Sequence, residues 1–286
     1  MDENKSPHRK PTSTPAYNLR STTPSAPPLN PQQLFLHICH ATLDAKDNKE
    51  LIYRNIAREV GSLVAELLAE EPRIERACAR VHFNSAMGVL RISVIRTEID
   101  NVHVQWIKNE LMHMVKAQFL LFDECTYLEF NVGTRFTGFP GIYAGSSKEP
   151  DLFLRPGTSR RLPRVIIETG SPESWPHLQS DRTLWFSGSE VRYVILLKWT
   201  KTSDDHVMGL IEVFHRNPPG EATLLCHEQL FPVPALAIQD VPITLDELFG
   251  PHITPGRDPN ASFQLSLNRL RVLARDTVLA MGLTPE

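Results

Sequence analysis

The chain has 286 residues, 41% of them hydrophobic, enough for one large domain or two small ones with a sizeable core. Its 30 Lys and Arg stand against 33 Asp and Glu, a formal net charge of -3, so nucleic-acid binding driven by overall charge is not indicated and any such contact has to be local. Cys39, Cys78, Cys125 and Cys226 form no CxxC pair, which argues against a zinc ribbon or a disulfide framework, and no apolar run reaches the roughly 18 residues of a membrane span.

These features predict an intracellular protein, nuclear or cytoplasmic, with no membrane partner. Residues 1–32 are dense in Pro, Ser and Thr and hold too little apolar surface to offset the entropy of ordering, so they read as a disordered tail. From Asp47 to Glu70 apolar residues recur at helical spacing (Leu51, Ile52, Ile56, Val60, Leu63, Val64, Leu67, Leu68), predicting an amphipathic helix. "ARVHFN" and "GVLRISVI" read as a hairpin turning at Ser85 to Gly88, and a second helix is expected from about Glu98 to Phe119. "TYLEFNVG" alternates as a strand. Two short strands follow, Leu152 to Leu154 and Val165 to Glu168, separated by a loop carrying Arg155, Arg160 and Arg161.

A short helix is expected from Pro176 to Phe186, then "VRYVILLKW" as a strand buried on both faces, then "VMGLIEVFHR" and "ATLLCHEQLF" as further strands. The stretch after Gly250 is turn-rich until a last helix, Phe263 to about Met281. This order of elements predicts an α/β or α+β domain built on a mixed sheet.

The chemistry sits at the two short strands. Side chains alternate along a strand, so Ile166, Glu168 and position 170 share one side. An acid at the end of a run as apolar as Val165-Ile166-Ile167 requires a positive neighbour, because an unpaired carboxylate is rarely buried. A metal-dependent nuclease uses two such acids to hold Mg²⁺, which takes hard oxygen ligands and keeps several waters. Asp151 and Glu168 fit those positions, and a lysine two residues after the second acid would point into the same site.

Pro150-Asp151 followed by Ile167-Glu168-Thr169-Gly170 resembles the PD-(D/E)XK signature of the restriction-endonuclease-like superfamily. The lead-in "GSSKEPD", the stretch "IIETGSPES", Asp181, Trp185 and the strand "VRYVILLKW" resemble a group of proteins typical of filamentous fungi, similar in turn to a bacterial endonuclease family. In that family a helix begins upstream near a histidine, where Glu98 and His103 stand here, and "ITLDELFG" is similar to its closing segment. The resemblance covers roughly residues 90–250. It implies a restriction-endonuclease-like domain over 33–250, with an N-terminal helical addition and a C-terminal extension over 251–286. It also implies Mg²⁺ on Asp151 and Glu168, with Glu98 assisting from the second helix.

The chain departs from the signature at Gly170, where lysine is required. Lys148, Arg182 and Lys198 are the candidates for a displaced basic group, and Arg155, Arg160 and Arg161 for a rim contacting nucleic-acid phosphates. Structural readings stand beside these: Asp151 can simply open a strand, Glu168 can form a buried ion pair with an arginine, and Ser171 can cap the following helix. Gly170 favours a rival function, a non-catalytic interaction module that keeps the nuclease fold.

Overall fold

A computed structural model describes residues 30–45, 49–94, 97–157, 162–171, 174–217, 220 and 222–286. Most of the expected disordered tail, and both Arg160 and Arg161, lie outside the described residues.

The first described element is helix α1 (Pro31–Leu43), where Asn30 accepts a 2.8 Å bond from the Gln33 amide and Pro31 occupies the first turn. The helix expected from Asp47 is a strand, β1 (Lys49–Tyr53), followed by helix α2 (Arg58–Glu70) only after Asn55 turns the chain with φ of 58°. The apolar residues that mimic a helical stripe are shared between a ladder to a neighbouring strand and a true helix face. Helix α3 (Pro72–Arg76) leads into the expected hairpin, β2 (Arg80–Asn84) and β3 (Val89–Val94). The three strands form an antiparallel sheet in the order β1-β3-β2.

Alternation gives this small sheet two different faces. Val81, Phe83, Leu90 and Ile92 pack against Leu34, Ile38, Val64 and Leu68 of the helices. Gly61 of α2 makes this possible, since a Cβ there would sit 2.1 Å from the Phe83 ring. The opposite face carries Arg80, His82 and Arg91, with His82 directly across from Arg91.

A 3-10 turn (Glu98–Asn101) precedes helix α4 (Val102–Lys116), and α5 (Phe122–Tyr127) precedes β4 (Leu128–Asn131). Strands β5 (Leu152–Pro156) and β6 (Val165–Gly170) follow, then α6 (Trp175–Gly188), β7 (Tyr193–Lys201), β8 (His206–Arg216) and β9 (Ala222–Phe231). Arg155 therefore belongs to strand β5 and not to the loop after it. The main sheet is mixed: β6 and β7 run parallel through the α6 crossover, while β4-β5-β6 and β7-β8-β9 pair antiparallel. Strand β7 is buried on both faces, as its unbroken apolar run requires.

The stretch after residue 230 completes this core. Strands β10 (Asp240–Thr244) and β11 (Ser262–Ser266) form a hairpin around helix α7 (Leu245–Phe249). Helix α8 (Leu267–Ala280) buries Leu270, Ala274 and Val278 in the cluster that holds Trp106 of α4, and β12 (Thr284–Pro285) joins β8 in parallel. Helices α4 and α8 thus cover one face of the main sheet. Helix α6 and the aromatic residues Phe136, Phe139 and Tyr143 cover the other.

The two sheets meet at residues 146–148. Phe83 and Ser147 exchange backbone bonds of 2.8 and 2.9 Å, and Phe136 and Lys148 exchange bonds of 2.7 and 2.9 Å. Lys148 is thereby fixed between the small sheet and the aromatic segment. None of the described helices is long and apolar enough to cross a membrane.

Candidate functional site

Strands β5 and β6 set the site. Leu152 pairs with Ile167, so one step further along the ladder Asp151 comes opposite Glu168. The same alternation puts both on the α6 face, with Phe153 and Ile166. Lys148 lies three residues before Asp151, and Asp181 comes from α6 beneath the same edge. Across from them stand Arg80, His82 and Arg91 of the small sheet.

These side chains form one buried ionic network. Lys148 Nζ lies 2.7 Å from Asp181 Oδ2 and 3.1 Å from Glu168 Oε1, with His82 Nδ1 at 3.5 Å. Glu168 Oε1 also accepts a 2.8 Å bond from the Trp185 indole. Arg91 donates to Asp181 and reaches Glu50 at 3.5 Å. Arg80 donates to Asp151, and its Nε lies 3.4 Å from Glu149. The other Asp151 oxygen accepts the Thr169 amide at 2.6 Å. The Thr169 hydroxyl sits 2.9 Å from that oxygen and 3.1 Å from the Asp100 carbonyl, so its single proton serves one of the two.

Burial makes each pairing consequential. Lys148 is 1% exposed, Glu168 2% and Asp151 3%. Loss of water pushes the Glu168 pKa up to about 7, with Lys148 opposing the rise and Asp151 and Asp181 adding to it. Burial also works against the Asp181 carboxylate, but Arg91 and Lys148 outweigh it and hold its pKa below the ordinary aspartate value. Burial, reinforced by Lys148 and Arg91, drives the His82 pKa well below the usual range, so that imidazole is neutral at physiological pH.

Position 170 is closed. A Cβ added to Gly170 would lie 2.1 Å from Ser174 Oγ and 3.0 Å from Leu178 Cδ1, so no lysine enters there without moving the Ser174 and Leu178 side chains. Ser174, not Ser171, occupies the N-cap position of that helix, and its hydroxyl donates to the Ser171 carbonyl at 2.9 Å.

Of the other expected residues, Glu98 is exposed and makes no hydrogen bond or ion pair among the described residues. Its turn reaches the site through the Asp100 carbonyl instead. His103 is fully buried on α4. Arg182 stacks 4.2 Å from the Phe214 ring centroid. Lys198 pairs in register with Gly170 and lies 5.1 Å from the Trp175 ring. Arg155 is held by Glu129 of β4 at 2.5 and 3.1 Å and lies over Phe153, which explains its charge without a nucleic-acid phosphate. Lys148 is the one displaced-lysine candidate that contacts Glu168.

Arg80, His82 and Arg91 carry no motif signal. The pattern that could have marked them is the interruption of the apolar runs "RVHF" and "LRIS" by cations on one alternating face, the sign of a strand with a second layer over its polar side.

No protein-family model matches the chain, and no curated protein matches it. Among solved structures the fold is similar to a crystal structure from Anabaena variabilis described as a "putative nuclease belonging to DUF820". The TM-score is 0.34 at 15% identity, over 64% of this chain and 87% of that one. The site rests on its own geometry.

Proposed function

We propose that this chain is a nuclease-like fold whose carboxylate pair has exchanged metal ligation for an internal ionic lock, so that the domain acts as a non-catalytic interaction module. The supporting observation is that Asp151 and Glu168 are already engaged by the protein's own cations, Arg80 and Lys148. Mg²⁺ requires free carboxylate oxygens and room for several waters. Here both Asp151 oxygens and Glu168 Oε1 face a guanidinium, the Thr169 amide, an ammonium and an indole, and no cluster of three His, Cys, Asp or Glu side chains suited to a metal occurs among the described residues. The residues present do not fit the ion, and the Ser174 and Leu178 side chains crowd position 170, where the accompanying lysine would stand.

A second reading, Mg²⁺-dependent hydrolysis of nucleic-acid phosphodiesters, is favoured by one distance. Lys148 Nζ lies 3.1 Å from Glu168, a basic group supplied from just before Pro150-Asp151 and not from position 170. This reading needs Arg80 to leave Asp151 and the site to open to water, with Lys148 staying beside Glu168.

The full chain incubated with single- and double-stranded DNA and RNA, in Mg²⁺ and in Mn²⁺, separates the two. The lock reading expects no cleavage and no divalent-ion heat in calorimetry. Cleavage that disappears in both Asp151→Asn and Glu168→Gln, with folding intact, overturns it in favour of the hydrolytic reading.

A further inference from the structure

Helices α2 and α3, the start of β2 and residues 133–135 enclose a groove of about 580 Å³, within the range of small-molecule sites. Its apolar surface comes from Ala69 and Ala79, over the nearly buried Leu68, Ile74 and Val81 of the small-sheet core, and its rim carries Glu75, Arg80, Arg135 and Glu149. The two arginines differ. Arg80 is held by Glu149 and Asp151. Arg135 makes no ion pair or hydrogen bond among the described residues, and its Nε is buried without an acceptor.

A buried guanidinium N–H without an acceptor is costly, and the planar fork matches the two oxygens of a carboxylate. Glu66, Glu70 and Glu149 lie around Arg135 beyond ion-pairing distance and favour its charge, while burial opposes it. The same acids repel any anion, and a polyanion far more than a single carboxylate that Arg135 can neutralise, so a nucleic-acid backbone is the wrong occupant. A singly charged head group with an apolar body satisfies both the unpaired fork and the apolar surface.

We infer that this groove binds a small organic monocarboxylate, its head group on Arg135 and its apolar body over Ala69 and Ala79. The inference is independent of whether the carboxylate pair is catalytic.

Cys78 reports occupancy, because it is exposed and lines the groove, whereas Cys39 and Cys226 are buried and Cys125 lies elsewhere. The full-length protein is alkylated with iodoacetamide and the rate at Cys78 is read by peptide mass spectrometry. Octanoate is expected to slow Cys78 saturably and leave Cys125 unchanged; acetate, octanol and octylamine are expected to protect weakly or not at all. Arg135→Ala should weaken octanoate protection by about tenfold or more, the loss of a charge-assisted bidentate contact. No protection by octanoate, equal protection by octanol, protection by AMP in place of octanoate, or undiminished protection in a folded Arg135→Ala protein each overturns the assignment. The comparison of octanoate with octanol uses the unmodified chain, so it decides the matter even if Arg135→Ala does not fold.

Discussion

Arg80 donates its guanidinium to Asp151 across 71 residues of sequence, joining the small antiparallel sheet to the edge of the main one. The contact is charge-assisted and mostly withdrawn from water, the side chains being 14% and 4% exposed. Breaking one side of such a pair leaves a charge without its counterion, a larger loss than the net worth of the pair. Arg80→Ala is therefore expected to destabilise the protein by roughly 3 kcal/mol. Urea unfolding measures this, and a double-mutant cycle with Asp151→Asn should show that the second substitution adds little once the first is made. Strict additivity would mean that the pair does not couple the sheets.

Glu168 links stability to pH. Its carboxyl titrates near 4.5 when solvated and at about 7 in the folded chain, because burial disfavours the anion. Between these values the native state holds a proton that the unfolded state has released, so this group's contribution to stability declines as pH rises from about 4.5 through about 7. Glu168→Gln should flatten that decline. Urea midpoints near pH 5 and near pH 8 in both proteins test it, and an unchanged slope would refute the burial argument. Asp181 does not blur the result, since its pKa is held below the ordinary value and its stabilisation is lost only at lower pH.

Gly170 is a packing residue as much as a vacancy in a motif. Gly170→Ala should cost roughly 1–3 kcal/mol through overpacking against Ser174 and Leu178. Pairing it with Ser174→Gly should recover part of the loss, because the 2.1 Å contact is with the Ser174 hydroxyl. Gly170→Lys should lower the thermal midpoint further and confer no nuclease activity in Mg²⁺.

Gly61 gives a contest between two effects of known size. Alanine in a helix gains about 1 kcal/mol over glycine by propensity, but here its Cβ meets the Phe83 ring at 2.1 Å. Overpacking of roughly 1–3 kcal/mol should win, so Gly61→Ala is expected to be destabilising in urea melts. Phe83→Leu in the same chain should reverse the sign by opening space.

The residues of the main sheet announce themselves because their environment is local. Val191 to Trp199 reads as a strand buried on both faces, and β7 is one. The failure at Asp47 to Glu70 has an equally local cause: Leu51 and Ile52 fit a helical stripe, but pairing of β1 with β3 outweighs periodicity. The sequence also marks Asp151 and Glu168 as acids in need of a positive neighbour and offers Lys148, Arg182 and Lys198 for it; only the structure selects Lys148.

The amino-acid order by itself determined the mixed α/β architecture, the shared side of Glu168 and position 170, and, through the motif resemblance, the glycine where lysine is required. Those follow from patterns within single segments, short-range rules, whereas the facing of Asp151 and Glu168 needed the register of β5 on β6. Only the tertiary structure decided what neutralises the acids and why position 170 holds glycine. The answers come from Arg80, His82 and Arg91 on a separate sheet and from Ser174 at the head of a helix, and contacts between distant segments are set by packing, not by any pattern within a single element.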